Sequence, residues 1–130
     1  MDKRSRLISE VSEMDCSFIQ MMKVLGECKR LRIIKLLQER KCCVCELVGI
    51  LGLSYATISG HLKKMKAAGL IIEEKSSYWT YYELNPELSH QSKALLKIIS
   101  EMECDTCHQD REKLMNGNFV CARTGGKEKT

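Results

Sequence analysis

Between Gly52 and Gly69 the chain writes a helix with both ends marked, and this segment constrains the fold more than any other. Ser54 offers a hydroxyl that can take an orphan backbone N–H at a helix start. Ile58, Leu62 and Met65 then recur on one face. Gly69 is the residue type that stops a helix by turning left-handed. Upstream, Val44, Leu47, Val48 and Leu51 share one face of a preceding helix, which Gly52 breaks. Helix, tight turn over residues 51–54, helix is the pattern of a helix-turn-helix.

Two β-prone runs follow. Leu70-Ile71-Ile72 and Tyr78-Trp79-Thr80-Tyr81-Tyr82 flank the polar stretch Glu73-Glu74-Lys75-Ser76-Ser77, which suits a hairpin loop. Alternation places Tyr78, Thr80, Tyr82 and Leu84 on one face, with Trp79 and Tyr81 on the other. A hairpin directly after a recognition helix is a wing. Phe18, Met21, Met22 and Leu25 predict a first helix from about Asp15 to Leu25; Leu31, Ile33, Ile34 and Leu37 predict a second. Asn85-Pro86 reads as the start of a last helix. Leu88, Leu95, Ile99 and Met102 line it to about Glu103, and Leu96 and Ile98 broaden its apolar surface enough to seal a dimer. The expected fold is mainly α, with about five helices and a small β-hairpin wing: a winged helix-turn-helix. Residues 1–14 are expected to be a mobile N-terminal segment, 15–103 the DNA-binding and dimerisation domain, and 104–130 a loosely ordered cysteine-containing tail.

Charge supports a nucleic-acid partner by its placement. The net charge of the 130 residues is only +4, yet residues 54–69 carry Lys63, Lys64, Lys66 and His61 and no acid. Such a stripe is a footprint for phosphate. Ser54, Tyr55, Thr57, Ser59 and His61 are short or planar polar groups at the start of the helix, suited to base edges and phosphates. Lys63 and Lys64 would hold phosphates, and Lys75 in the wing would reach a phosphate or the minor groove. His61 has a second reading, as a hydrogen-bonder inside the fold.

No uncharged apolar run approaches a membrane span. The early charges Lys3, Arg4 and Arg6 are not followed by an apolar stretch, so a signal peptide is not expected and the chain is read as cytoplasmic. There the eight cysteines are thiols rather than a disulfide scaffold. Their density points to soft-ion binding or redox chemistry. Cys42 and Cys45 would share one helix face. Cys104 and Cys107 can chelate one ion, with Cys121 as a further ligand. Cys16 and Cys28 read as small buried apolar residues. Cys104-Asp105-Thr106-Cys107-His108 also spells a haem-attachment motif, but that chemistry needs export. No βαβ pattern surrounds the same pair, which disfavours a thiol oxidoreductase, and no enzyme is expected. A metallochaperone would leave the helix and wing without a purpose.

Cys43-Val44-Cys45-Glu46-Leu47, Leu53-Ser54-Tyr55-Ala56-Thr57-Ile58-Ser59-Gly60-His61-Leu62-Lys63, Gly69-Leu70-Ile71, Trp79 and Tyr82 together resemble the ArsR/SmtB family of metal-responsive repressors, over about residues 18 to 102. The resemblance implies a homodimer that binds double-stranded operator DNA and releases it when an ion binds. It also selects Cys43 and Cys45 as ligands. On a regular helix these would lie about 200° apart, so the first turn must be distorted for one ion to hold both. Arsenite or antimonite, which favour three sulfurs, are the expected inducers. Cadmium, lead or zinc, and a thiol-redox or persulfide signal, are the alternatives. The sequence departs from the family pattern in three places. Glu27-Cys28 stands where Asp-Pro is frequent, Val48 stands where arsenic sensors carry a third cysteine, and the last helix has only His90 of the paired zinc ligands.

Overall fold

Capping chemistry sets most element boundaries in the computed structural model, which describes residues 17–117. Residues 17–25 form α1. α2 spans Cys28–Glu39, and the Glu27 carboxylate accepts from the Lys29 and Arg30 amides at 2.7 and 3.3 Å. Glu27 thus supplies the capping oxygen, and the departure at Glu27-Cys28 leaves the start of α2 intact. β1 (Cys42–Cys43) leads into α3 (Val44–Leu51), and Gly52 at φ +70 ends that helix. α4 (Tyr55–Ala67) begins where Ser54 Oγ accepts from the Thr57 amide at 3.1 Å. It stops where the Gly69 and Leu70 amides donate to the Lys66 and Met65 carbonyls, with Gly69 at φ +80. That pairing is a Schellman motif. β2 (Ile71–Lys75), β3 (Thr80–Leu84), α5 (His90–Glu101) and α6 (Asp105–Asn116) complete the chain.

The strands form one antiparallel sheet in the order β1-β3-β2. Ile71 pairs with Leu84 and Lys75 with Thr80 in the wing, while Cys42 pairs with Tyr82 and Cys43 with Tyr81 at its root. The core gathers Ile33, Ile34 and Leu36 of α2, Leu47 of α3, and Ile58, Leu62 and Met65 of α4, all essentially inaccessible. Each such side chain contributes about 1.5–3 kcal/mol by leaving water. This core fixes α4 to the body, so the opposite face of α4 is presented outward on a rigid support. No single helix among the described residues is long and apolar enough to cross a membrane.

The winged helix-turn-helix expectation holds, with six helices among the described residues. Several details differ. The wing strands are shifted from what propensity suggested: Glu73, Glu74 and Lys75 belong to β2, and Tyr78 and Trp79 lie in the turn before β3. Cross-strand pairing with Tyr82 and Tyr81 holds the two glutamates extended, and Lys66 and Lys41 neutralise them at 2.8 and 2.9 Å. Asn85-Pro86 starts no helix. The Asn85 carboxamide accepts from the Glu87 amide at 2.9 Å and donates to the Gly69 carbonyl at 3.0 Å, tying the end of β3 to the end of α4. Ser89 caps α5 instead. In α1, Met21 and Leu25 are buried as expected, but Val24 joins them and Met22 is exposed. Cys28 is exposed rather than a core residue, and Cys16 and Asp15 lie outside the described residues.

The largest correction is α6. The expected loose tail is a helix from Asp105 to Asn116, docked on α2 and α3. Arg32 grips the buried Asp110 through two hydrogen bonds of 2.8 and 3.0 Å, Leu114 is buried, and Lys113 Nζ reaches the Ile50 carbonyl at 3.5 Å.

Candidate nucleic-acid interface and thiol sites

The outward face of α4 carries Tyr55, Thr57, Lys63 and Lys64, all exposed, with Ser59 half-buried beside them. Ser54 is engaged twice with Thr57, as helix cap and through a 2.8 Å hydroxyl–hydroxyl bond. Lys75 stands at the end of β2 with 75% of its side chain exposed. Lys66 is turned to the wing, where Glu73 accepts from it at 2.8 Å and from the Tyr82 hydroxyl at 3.4 Å. Lys66 therefore clasps recognition helix and wing together, a role its place in the basic stripe did not reveal.

His61 faces inward. Its Nδ1 accepts from Arg30 Nε at 3.1 Å, and Arg30 also donates to the Val24 carbonyl at 2.9 Å. Burial, then the Arg30 guanidinium, holds the imidazole below its ordinary pKa of 6.5, so it is neutral and acts as an acceptor. The structure thus places His61 in a latch joining α4, α2 and α1, away from the exposed face.

The cysteine box straddles a strand–helix junction. Cys43 has extended backbone (φ −92, ψ 165) and is the cap of α3, while Cys45 lies inside the first turn. This breaks the helical spacing that would have set the two apart, and their sulfurs approach to 2.9 Å. Both are buried in a small cluster walled by Trp79 and Tyr81. Strand alternation sends Cys42 the other way, into the main core, where its thiol donates to the Arg40 carbonyl at 3.5 Å. Cys42 and Cys45 are therefore not brought together. The junction is held by Glu46, which sequence reading passed over. Its buried carboxylate accepts from the Cys43 amide at 3.0 Å and from Arg40 at 3.0 and 3.3 Å. The available signal was its position as third helical residue after the cap, where a carboxylate reaches back to the cap amide.

Cys104 and Cys107 sit at another helix start. Cys104 caps α6, its sulfur accepting from the Cys107 amide at 3.3 Å. Hydrogen bonds from the Cys107 thiol and amide, helped by Lys35, pull the exposed Cys104 thiol below its usual range. Burial and the neighbouring Cys104 push Cys107 up to about 11. Lys35 also donates to the Ile99 and Met102 carbonyls at 2.9 and 2.6 Å, capping the end of α5. Both cysteines line a cavity of about 470 Å³ between α2, α5 and α6, with Cys28, Leu31, Ile99 and Met102 on its walls. Among the described residues no three ligating side chains gather at one point. Cys121 lies outside them.

The model of the arsR family of bacterial regulatory proteins matches residues 28–73. The arsenical resistance operon repressor of Bacillus subtilis is 40% identical over 99 residues, covering 72% of this chain and 94% of that protein. The arsenic resistance transcriptional regulator ArsR1 of Pseudomonas putida is 37% identical over 93 residues, 71% of this chain and 73% of its own length. Among solved structures, reduced HlyU from Vibrio cholerae superposes with a TM-score of 0.63 at 25% identity, covering 74% of this chain and 98% of that one.

Proposed function

Because the chain belongs to the arsR family of bacterial regulatory proteins, whose members are DNA-binding transcriptional repressors, we propose that it is a cytoplasmic homodimer that leaves its operator when trivalent arsenic binds Cys43 and Cys45. The observation that carries the inducer reading is the 2.9 Å approach of two buried sulfurs at the root of the wing. Soft thiolates select thiophilic ions, and in the reduced protein binding expels the thiol protons. Arsenite or antimonite takes a third sulfur. Cys42 faces the main core, and Cys28, Cys104 and Cys107 line a separate cavity, which favours Cys16 or Cys121 as the source over these four.

The coupling follows from connectivity. Cys43 belongs to β1, which pairs with β3 of the wing, and Cys45 belongs to α3, which leads through Gly52 into α4. An ion that draws in a further ligand reshapes this junction and disturbs wing and recognition helix together. Single-effector couplings run about 1–3 kcal/mol, roughly 5- to 150-fold in affinity. For dimerisation, Ile19 and Met22 of α1 and Ile98 of α5 offer exposed apolar side chains.

DNA release measured under reducing conditions tests the reading. Arsenite or antimonite releases the operator at lower concentration than zinc, cadmium or lead. Cys43→Ser and Cys45→Ser each bind DNA normally and lose release. Cys16→Ser and Cys121→Ser identify the third ligand. Zinc acting below arsenite overturns the inducer assignment, and release by oxidant alone replaces it with redox sensing. Lys63→Ala/Lys64→Ala weakens binding to all sequences and flattens its salt dependence, whereas Thr57→Ala relaxes sequence preference. An unchanged salt slope overturns the docking of α4 on DNA.

A further inference from the structure

The sheet face that carries the cysteine box also carries charge. Cys43 pairs with Tyr81, and Tyr81 with Glu74, so these three side chains stand in one row across β1, β3 and β2. Lys41 lies two residues before Cys43 and emerges on the same face. Its Nζ sits 5.5 Å from the centre of the Tyr81 ring and donates to Glu74 at 2.9 Å, a bar laid from β1 across the aromatic ring to β2. Glu83, two residues beyond Tyr81 in β3, adds its charge to the field at Lys41. Behind the box, Arg40 and Glu46 cancel each other. In front of it stand two carboxylates and one ammonium, around the aromatic side chains that pack over both sulfurs.

Trivalent arsenic in neutral water is As(OH)₃ and carries no charge, whereas zinc, cadmium and lead arrive as hydrated dications. Passing an aromatic cover costs an uncharged hydroxide far less than a dication. Two uncompensated carboxylates would offset that difference by drawing dications in. We propose that Lys41 is a specificity-determining residue of the box: it offsets the charge of Glu74 and Glu83, and so keeps the thiol pair responsive to the neutral metalloid hydroxide rather than to divalent cations. Lys41 makes no bond to the ion. The proposal rests on the Cys43–Cys45 reading above and adds what sets its preference.

The test is a competition between arsenite and cadmium for the reduced full chain, with bound arsenic and cadmium counted by elemental mass spectrometry after equilibrium dialysis. Cys104→Ser/Cys107→Ser is the common background, which removes the other thiol pair, and adding Cys43→Ser/Cys45→Ser gives the blank. Serine is itself a good helix cap, so the background keeps the start of α6. Lys41→Gln raises cadmium binding relative to arsenite by about five- to tenfold at low salt, the scale of one unit charge acting on a dication across roughly 6–8 Å of water. Glu74→Gln lowers the same ratio by a similar factor, although it breaks the same ion pair. Opposite signs separate charge from a merely loosened cover, which would move both variants alike. Lys41→Arg keeps the original ratio. At about 1 M salt the shifts fade, and shifts that persist there overturn their electrostatic origin. A ratio unchanged in Lys41→Gln, or moved in the same direction by Glu74→Gln, overturns the role of Lys41 and leaves the box reading standing. Arsenic uptake no greater than that of the blank overturns the box reading and the proposal together.

Discussion

Among the described residues two helices begin with a cysteine cap, and they begin differently. α3 starts at Cys43 under cover, its cap amide held by the Glu46 carboxylate and its partner Cys45 pressed against it. α6 starts at Cys104 in the open, with the thiol itself as the capping acceptor and Cys107 half-buried behind it. The same residue type at the same helical position thus yields a closed pair and an accessible one. What decides is the element before the helix. β1 is pinned to β3, so Cys43 must face Trp79 and Tyr81, whereas Cys104 follows an unpaired connection from α5.

The largest effect expected from this contrast is in alkylation of the reduced protein. Iodoacetamide reaches Cys104 directly but reaches Cys43 and Cys45 only through local opening. An opening cost of about 3 kcal/mol separates the rates on the order of a hundredfold. Peptide mass mapping over time checks this, and comparable rates would erase the distinction.

Next in size are the acidic tethers behind each cap. Asp110→Ala leaves Arg32, one-fifth exposed, without its partner, and Glu46→Ala does the same to the more exposed Arg40. Removing one partner of a fully buried pair costs about 3–5 kcal/mol. The exposure of both arginines lowers this to about 2–3 kcal/mol for Asp110→Ala and less for Glu46→Ala. Chemical denaturation gives the totals. Asp110→Ala speeds alkylation of Cys107 and leaves Cys43 and Cys45 slow, and Glu46→Ala does the reverse. Equal acceleration of both pairs by either variant would mean the helix starts are not independent.

The smallest effect is in pH. The thiolate is the reacting form. Cys104, held below the usual thiol range, reaches its full alkylation rate at lower pH than a free cysteine, and Cys107, pushed up to about 11, does so only in strong alkali. Between the two, a rise in pH accelerates Cys107 alone. Coincident rate profiles would show that α6 does not differentiate its two sulfurs.

The parts of the fold legible in the sequence were those written by local chemistry. The stripe Ile58, Leu62, Met65, the Ser54 cap and the Gly52 and Gly69 stops are properties of single segments, and all appear where expected. β1 was not legible, because two residues become a strand only by pairing with Tyr81 and Tyr82, almost forty positions away. α6 was not legible because its docking rests on one buried leucine and on polar ties, chiefly the Arg32–Asp110 pair, which leave no apolar periodicity. At the candidate site, the cysteine types and spacing were readable. Their arrangement was not, since the approach of Cys43 to Cys45 depends on the chain changing from strand to helix between them. The inward turn of His61 likewise depends on Arg30, thirty-one positions earlier.

Trp79 is the sole tryptophan of the chain, and it packs against Cys43 and Cys45 rather than near the cavity beside Cys104 and Cys107. The protein therefore carries its own fluorophore at one thiol pair and none at the other. A heavy atom settling between the box sulfurs sits beside the indole and quenches its emission, whereas occupancy of that cavity leaves the emission unchanged. Unlabelled protein in a cuvette can thus distinguish the two kinds of capture as they occur.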